Sequence, residues 1–108
     1  MLKLDIDFYL ELIDKILNDK IHLVEACREV SHYDLQEAGI PLEKFAYIIG
    51  FESQTDHYPL GEVRKKLDPK ALKELDDDIN QFIQEAKPGV KESCLDLREE
   101  LLKLKTVR

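Results

Sequence analysis

The C-terminal part of the chain repeats apolar residues at the spacing of an α-helix. From residue 90 onward, such side chains recur at alternating steps of four and three residues, at Val90, Cys94, Leu97, Leu101 and Leu104. This spacing predicts a seam that packs along another helix. The strongest pattern in the sequence therefore favours a fold in which helices pack on helices.

The segment before this seam predicts a helix that begins at Asp68 and Pro69. Proline suits the first turn of a helix because its missing N–H needs no partner there. We expect this helix to run to about Ala86, where Pro88 and Gly89 interrupt it. Its apolar residues fall on one face, at Leu72, Leu75, Ile79, Phe82 and Ile83.

The N-terminal part predicts two further helices. Asp5 can accept hydrogen bonds from the first turn of a helix that runs to Asn18, and Asp19 can cap a second helix that runs to about Val30. Their apolar faces are predicted at Ile6, Leu10, Ile13 and Leu17 in the first helix, and at Leu23 or Val24, Cys27 and Val30 in the second.

The middle of the chain is less regular. A short third helix is predicted from Ser31, which resembles a capping box with Asp34, to Gly39, which can adopt the left-handed conformation of a helix end. Residues 45–51 suit either a strand or a buried helix. We favour a helix, because a lone strand would leave its backbone groups unpaired. Residues 52–61 are mostly polar or helix-breaking, which predicts the main loop.

Length and composition complete the fold prediction. The chain has 108 residues, of which 44% are hydrophobic and 36% are charged. This length suits one domain, and the high charge suits small helices with one solvated face. We therefore predict an all-α fold, a single helical domain over residues 1–108 that forms a compact bundle of four to five helices. In the alternative interpretation residues 45–51 are extended.

The charge of the chain indicates which partners suit it. The formal net charge is −7, with 16 basic and 23 acidic residues. This balance argues against nucleic acid or an anionic membrane as the partner and favours a basic protein. The N-terminus lacks the pattern of a secretory signal, so we expect a cytoplasmic location, with Cys27 and Cys94 as reduced core residues.

The acidic residues are concentrated in the N-terminal half. Residues 1–54 hold 5 basic and 11 acidic side chains, whereas residues 55–108 hold 11 basic and 12 acidic ones. In the first predicted helix Asp7, Glu11 and Asp14 share the face opposite the apolar one. Further acidic residues follow at Asp19, Glu25, Glu29, Asp34 and Glu37. We expect this surface, with Tyr33 and Tyr58 as aromatic anchors, to bind a basic protein.

The predicted loop combines groups that hydrolases use. Its carboxylates, hydroxyls and imidazole lie within six residues, at Glu52, Ser53, Thr55, Asp56 and His57. Catalysis requires a nucleophile and a base to converge, and neighbours in sequence rarely do so. We therefore favour backbone hydrogen bonds for Ser53, Thr55 and Asp56, and we expect the loop to bind a partner instead of catalysing a reaction.

The second predicted helix offers a candidate metal site. His22, Glu25, Glu29 and His32 lie at steps of three, four and three, and Glu29 with His32 forms a Glu-x-x-His motif. Di-iron bundles use this motif twice, together with two more glutamates. Because the second motif is missing here, we favour a solvated polar face.

Two other patterns suggest ligand sites but do not fit them. Asp76, Asp77 and Asp78 lie within a predicted helix, where consecutive side chains point about 100° apart and cannot converge on one cation. The four glycines stand alone, so no phosphate-cradling loop is predicted.

A small, acidic, helical chain without enzymatic motifs resembles the immunity proteins of bacterial toxin systems, including those of contact-dependent growth inhibition. The resemblance is one of size, charge and architecture. It implies a cognate basic toxin domain as the partner, often a nuclease, and no catalytic residue, metal or cofactor. It also implies partner-binding residues, for which the candidates are Asp7, Glu11, Asp14, Glu25, Glu29, Tyr33, Asp56, His57 and Tyr58.

Two alternatives stay open. One is a small metal-binding or hydrolytic protein that uses the Glu52–His57 loop or the face of Glu29 and His32. The other is an adaptor or a homodimer that assembles through the apolar seam of Val90 to Leu104.

Overall fold

A computed structural model describes residues 5–107. It contains four α-helices, α1 (Ile6–Leu17), α2 (Leu23–Val30), α3 (Ala46–Gln54) and α4 (Pro69–Val107), with short 3₁₀ helices at Leu42–Lys44 and Gly61–Lys66. Helix α4 packs against all three other helices, and α2 packs against α1 and α3. The all-α bundle predicted from the sequence is confirmed.

Helix α1 begins as predicted and ends in an unexpected way. The carboxylate of Asp5 accepts a hydrogen bond from the backbone N–H of Phe8 at 3.1 Å, which confirms this cap. At the other end Asp19 has a φ of 55°, and the amides of Asp19 and Lys20 donate to the carbonyls of Ile16 and Lys15. These bonds form a Schellman-type helix end.

The predicted role of Asp19 as the cap of the second helix is therefore wrong. Asp19 lies in the left-handed position after α1, where aspartate is tolerated because its short side chain can bond locally. Helix α2 begins later, and its N-cap is His22, whose Nδ1 accepts from the backbone N–H of Val24 at 3.3 Å.

The third helix predicted between Ser31 and Gly39 is replaced by turns. The hydroxyl of Ser31 donates to the carbonyl of Cys27 at 2.9 Å, so it closes the end of α2 instead of starting a new helix. Asp34 accepts from the amide of Glu37 at 3.0 Å and forms a single turn. Gly39 ends that turn with a φ of 99°, the left-handed conformation expected for it.

The ambiguous segment 45–51 is helical. Phe45 precedes α3, and α3 continues to Gln54, three residues into the predicted loop. Ile48 and Phe51 are buried, while Tyr47 is 48% exposed. This split gives the aromatic segment one face toward the core and one face at the surface.

The break predicted at Pro88 and Gly89 is wrong, because α4 runs through both residues. Pro88 lies inside the helix, where it cannot donate a backbone hydrogen bond. At Gly89 the ring of Tyr47 from α3 occupies the space that a Cβ atom would need. The glycine thus leaves room for the ring of Tyr47 and does not mark a helix end.

The core confirms the predicted seam. Val90, Cys94, Leu97 and Leu101 are fully buried, and Leu104 is partly buried against them. Tyr9 of α1 is also fully buried, and its hydroxyl donates to the carbonyl of Val30 at 2.7 Å, which joins α1 to the end of α2.

Both cysteines lie in this core as free thiols, as the sequence predicts. Burial raises the pKa of Cys94 to about 12 and also raises that of Cys27. Because the thiolate is the reactive form, both side chains are protected from reaction in the folded protein.

Candidate binding site at the Thr55–Leu60 loop

A half-buried arginine holds the loop after α3. Nη2 of Arg28, on α2, lies 2.7, 3.1 and 2.6 Å from the carbonyl oxygens of Thr55, Asp56 and Tyr58. These carbonyls belong to a segment without regular secondary structure, so they need partners outside it. One guanidinium therefore fixes the backbone of the loop against α2.

A second arginine ties the same loop to α4. Arg64, in the second 3₁₀ helix, lies 2.7 Å from a carboxylate oxygen of Asp76 and donates to the carbonyl of Pro59 at 3.2 Å. The hydroxyl of Tyr58 accepts from Arg64 at 3.1 Å and donates to Asp76 at 2.6 Å. The three side chains form a closed polar network.

This network sets the ionisation of its members. The hydrogen bond from Arg64, followed by that from Tyr58, lowers the pKa of Asp76. Burial, and then the hydrogen bond to Asp76, raises the pKa of Tyr58. Asp76 is thus held as a carboxylate and Tyr58 as a neutral hydroxyl donor.

His22 completes the packing around Tyr58. The two rings are stacked, with centroids 5.7 Å apart and planes 5° from parallel. Burial lowers the pKa of His22, which favours the neutral imidazole that caps α2. Tyr58 itself is only 6% exposed, so little of its ring surface is available for the anchoring role predicted from the sequence. Its ring supports the loop from inside.

The loop presents polar side chains beside an apolar depression. Asp56 and His57 are exposed, as expected for binding residues. They border an open depression of about 510 Å³. We call this depression the loop pocket; it is lined by Arg28, Asp56, His57, Tyr58, Pro59, Leu60, Val63, Leu67 and Leu75. Val63 is 48% exposed and Leu67 is 38% exposed, so the pocket offers apolar surface to a partner.

Two acidic residues of α2 lie near Arg28, the arginine that holds the loop. Helical spacing places Glu25 within one turn of both Arg28 and Glu29. Glu25 is exposed, and Glu29 is half-buried with its carboxylate 3.9 Å from Nδ1 of His32. Glu25 is therefore an exposed carboxylate one helical turn from Arg28, which lines the loop pocket.

The acidic stripe of α1 is present, but most of its charge is paired. Ion pairs join the helix and its end to α4: Asp7 with Lys105 at 2.8 Å, Asp14 with Arg98 at 3.6 Å, and Asp19 with Lys91 at 3.0 Å and Lys87 at 3.2 Å. Glu11 lies 3.9 Å from Lys15 within α1. The expectation that this stripe is free for a partner is wrong, because basic residues of the C-terminal half fold against it.

Tyr33, predicted as an aromatic anchor for a partner, is half-buried against α1. Its ring packs edge-on against Tyr9, with centroids 5.3 Å apart, and lies 6.3 Å from the ring of Phe8. The side chain is half-buried in this aromatic cluster on α1. Part of its ring surface remains at the protein surface.

The hydrolase-like groups of the loop do not converge. Thr55 is fully buried, and its hydroxyl donates to the carbonyl of Phe51 at 2.9 Å. Ser53 lies on the exposed side of α3, and no hydrogen bond within residues 5–107 joins it to His57. In the same described range, no three His, Cys, Asp or Glu side chains are grouped to hold a metal ion. The three consecutive aspartates diverge, with Asp76 bound to Arg64 and Asp77 to Lys73.

Sequence reasoning missed the residues that hold the site together, Arg28, Arg64 and Asp76. The available signal was the run of loop carbonyls around Pro59, which needs donors from elsewhere. The contacts span 27 to 30 residues for Arg28 and 12 for Arg64 with Asp76. No local pattern specifies such pairs.

Comparison of the chain with protein-family models, with curated protein sequences and with solved structures gave no match. The resemblance to immunity proteins therefore stays a prediction. Within residues 5–107, none of the helices combines the length and apolar character that crossing a membrane requires.

Proposed function

We propose that this protein binds a basic protein partner through the loop pocket and the adjacent carboxylates of α2. The particular role we propose is that of a cytoplasmic immunity protein, which neutralises a cognate toxin domain, such as a nuclease, by covering its cationic surface. The proposal needs no cofactor and assigns no catalytic residue.

The observation that carries the proposal is the fixed backbone of the loop. Arg28 ties the loop to α2, and the network of Arg64 with Asp76 ties it to α4. Binding through a rigid loop avoids the entropy cost of ordering it, so more of the interaction energy appears as affinity. Asp56 and His57 are exposed on this rigid frame, while the apolar floor can receive a partner side chain.

Charge supports a cationic partner. Glu25 and Asp56 are exposed beside the pocket, and neither takes part in an ion pair among the described residues. A nuclease must be positively charged where phosphates bind, so carboxylates can occupy the same field. Aspartate and glutamate on an inhibitor also speed encounter with such a surface.

The experiment is co-expression with the product of the adjacent upstream reading frame, followed by co-purification and by association kinetics at low and high salt. We expect rescue of growth by a stoichiometric complex. The double variant Glu25→Lys/Asp56→Lys should slow association by about tenfold or more at low salt, because it reverses charge at the docking surface.

A matched control reverses two exposed carboxylates elsewhere, Glu37→Lys/Glu43→Lys, and changes the net charge by the same amount. Equal effects of the two double variants would show that only overall charge matters and would remove the loop pocket from the interface. Rescue without a stable complex would instead point to an enzyme that repairs damage, and would contradict the proposal.

A further inference from the structure

The outward face of α4 carries a row of unpaired carboxylates. Asp78, Glu85, Glu92 and Glu99 follow one another at steps of seven, so they lie along one line of the helix, opposite the buried seam. All four are exposed, and none takes part in an ion pair within residues 5–107. The free acidic charge of the molecule thus lies partly on α4, and not on α1 as the sequence suggested.

Two exposed leucines lie beside this row. Leu95 is 55% exposed and Leu102 is 46% exposed, although both belong to the same helix as the buried seam. Leu95 lies within one turn of Glu92 and Glu99, and Leu102 lies within one turn of Glu99. The leucines are two turns apart, roughly 10.5 Å along the helix axis. Together they form a short apolar strip with an acidic border.

The opposite border of the strip is already neutral. Arg98 lies one turn from Leu95 and Leu102, but it is paired with Asp14 of α1. Lys91, one turn before Leu95, is paired with Asp19. The electrostatic field over the leucines is therefore dominated by the unpaired carboxylates on the other side.

We propose that this surface, the α4 face, defined by Glu92, Leu95, Asp96, Glu99 and Leu102, docks a basic amphipathic helix of a partner protein. A helix with apolar residues at steps of three and four presents a strip that matches two leucines seven residues apart. Lysine or arginine residues flanking that strip would meet the carboxylates of the α4 face.

Charge complementarity selects this occupant over two others. A second copy of the chain would place its own acidic row against Glu92 and Glu99. The like charges of the two rows would then repel each other. An anionic lipid surface would be repelled for the same reason. The α4 face points away from the core that α1, α2 and α3 share, so it is separate from the loop pocket. The proposal therefore goes beyond the proposed function and gives the protein a second partner site.

The test uses a fluorescent peptide of about 14 residues, made only of lysine and leucine and designed as an amphipathic helix. A peptide of the same composition in an order without helical amphipathicity serves as the comparison. We expect the 108-residue chain to bind the amphipathic peptide at least tenfold more tightly in fluorescence anisotropy. Amide chemical shifts should change between Glu92 and Leu102.

Variants assign the binding to this face. Leu95→Gln/Leu102→Gln should weaken binding of the peptide by about tenfold or more, because the apolar contact is lost. The matched control, Leu42→Gln/Ile49→Gln, alters two other exposed apolar residues and should leave the affinity within about threefold of wild type. Circular dichroism checks that both variants stay folded.

Any of four outcomes would overturn the proposal. The first is equal affinity of the two peptides for the wild-type protein. The second is undiminished binding to Leu95→Gln/Leu102→Gln, and the third is a set of chemical shift changes confined to the loop pocket. The fourth is a wild-type dimer in sedimentation that the Leu95→Gln/Leu102→Gln variant dissociates, because a second copy would then cover the face. Glu25→Lys/Asp56→Lys should keep the peptide affinity within about threefold, which separates this test from that of the loop pocket.

Discussion

The ring of Tyr47 on α3 lies directly over Gly89 of α4, in the space that a side chain at residue 89 would fill. This contact occurs in the middle of α4, next to the stacked rings of Phe51 and Phe82, whose centroids are 5.4 Å apart. A Cβ atom at residue 89 would overlap the ring of Tyr47, so the Tyr47 side chain would have to move aside. The contact explains a helix-weakening residue within a long helix.

The contact predicts that Gly89→Ala will not raise the free energy of unfolding, as this substitution usually does inside a helix. Replacing a glycine inside a helix with alanine usually raises the free energy of unfolding by about 0.5–1 kcal/mol. Here the new Cβ atom must displace the Tyr47 ring, so we expect no gain or a loss. In a Tyr47→Ala background the same substitution should recover the gain. Urea unfolding of the four proteins in this double-mutant cycle measures the coupling, and additive effects would contradict the contact.

At the neighbouring position we expect the opposite effect, a gain in stability when Pro88 is replaced with alanine. The residue is exposed inside α4, where proline removes a backbone hydrogen bond and crowds the preceding turn. Pro88→Ala should therefore raise the free energy of unfolding, by up to about 3 kcal/mol. Thermal and urea unfolding check this, with Pro69→Ala as the control, because proline suits the first turn of a helix. An unchanged stability of Pro88→Ala would contradict the unbroken helix.

Arg28 should matter more for the loop than for the rest of the fold. Arg28→Met keeps the apolar part of the side chain but removes the donor to three loop carbonyls. We expect a loss of about 1–3 kcal/mol in stability. We also expect faster hydrogen exchange at the amide of Tyr58, which bonds the carbonyl of Thr55 at 3.0 Å. Arg98→Met, which removes an exposed arginine, should leave this exchange unchanged. Equal exchange rates in both variants would rule out the role of Arg28 in holding the loop.

The lowered pKa of His22 predicts a pH dependence of stability. Because burial lowers this pKa below 6.5, the unfolded chain binds a proton at a higher pH than the folded protein does. The stability supplied by neutral His22 is thus complete above about pH 6.5 and is lost as the pH falls through the folded pKa. Protonated Nδ1 also cannot accept from Val24.

Urea unfolding between about pH 7.5 and 5 measures this loss. His22→Asn retains a cap acceptor without a titrating group, so its stability should depend less on pH in this range. His57→Asn changes an exposed histidine and should retain the wild-type slope. If both variants had the wild-type slope, the imidazole of His22 would not be the source of the pH dependence of stability.

The parts of the fold that could be predicted are those set by local periodicity. The seam from Val90 to Leu101 and the cap at Asp5 depend on residues within one helix, so the sequence is sufficient for them. The continuity of α4 could not be predicted, because the residue that explains Gly89 is Tyr47, on another helix. Local rules favour a break where proline and glycine are adjacent.

The candidate site could be predicted only in part, for a related reason. The exposure of Asp56 and His57 follows from a polar loop, but the burial of Tyr58 depends on His22, Arg64 and Asp76. Likewise the α1 stripe was identified from spacing, yet its neutralisation depends on basic residues as far as 98 positions away. Counting charges along the chain gives their sum, whereas only tertiary structure shows which of them are paired.

Helix α4 is the shared packing partner of the other three α-helices in the described part of the chain. Each of the other α-helices would lose buried surface if α4 were removed. We therefore do not expect one part of the fold to unfold separately from the rest. Heat or denaturant should therefore melt the protein in a single cooperative transition. A fragment that ends before Pro69 should remain unfolded on its own.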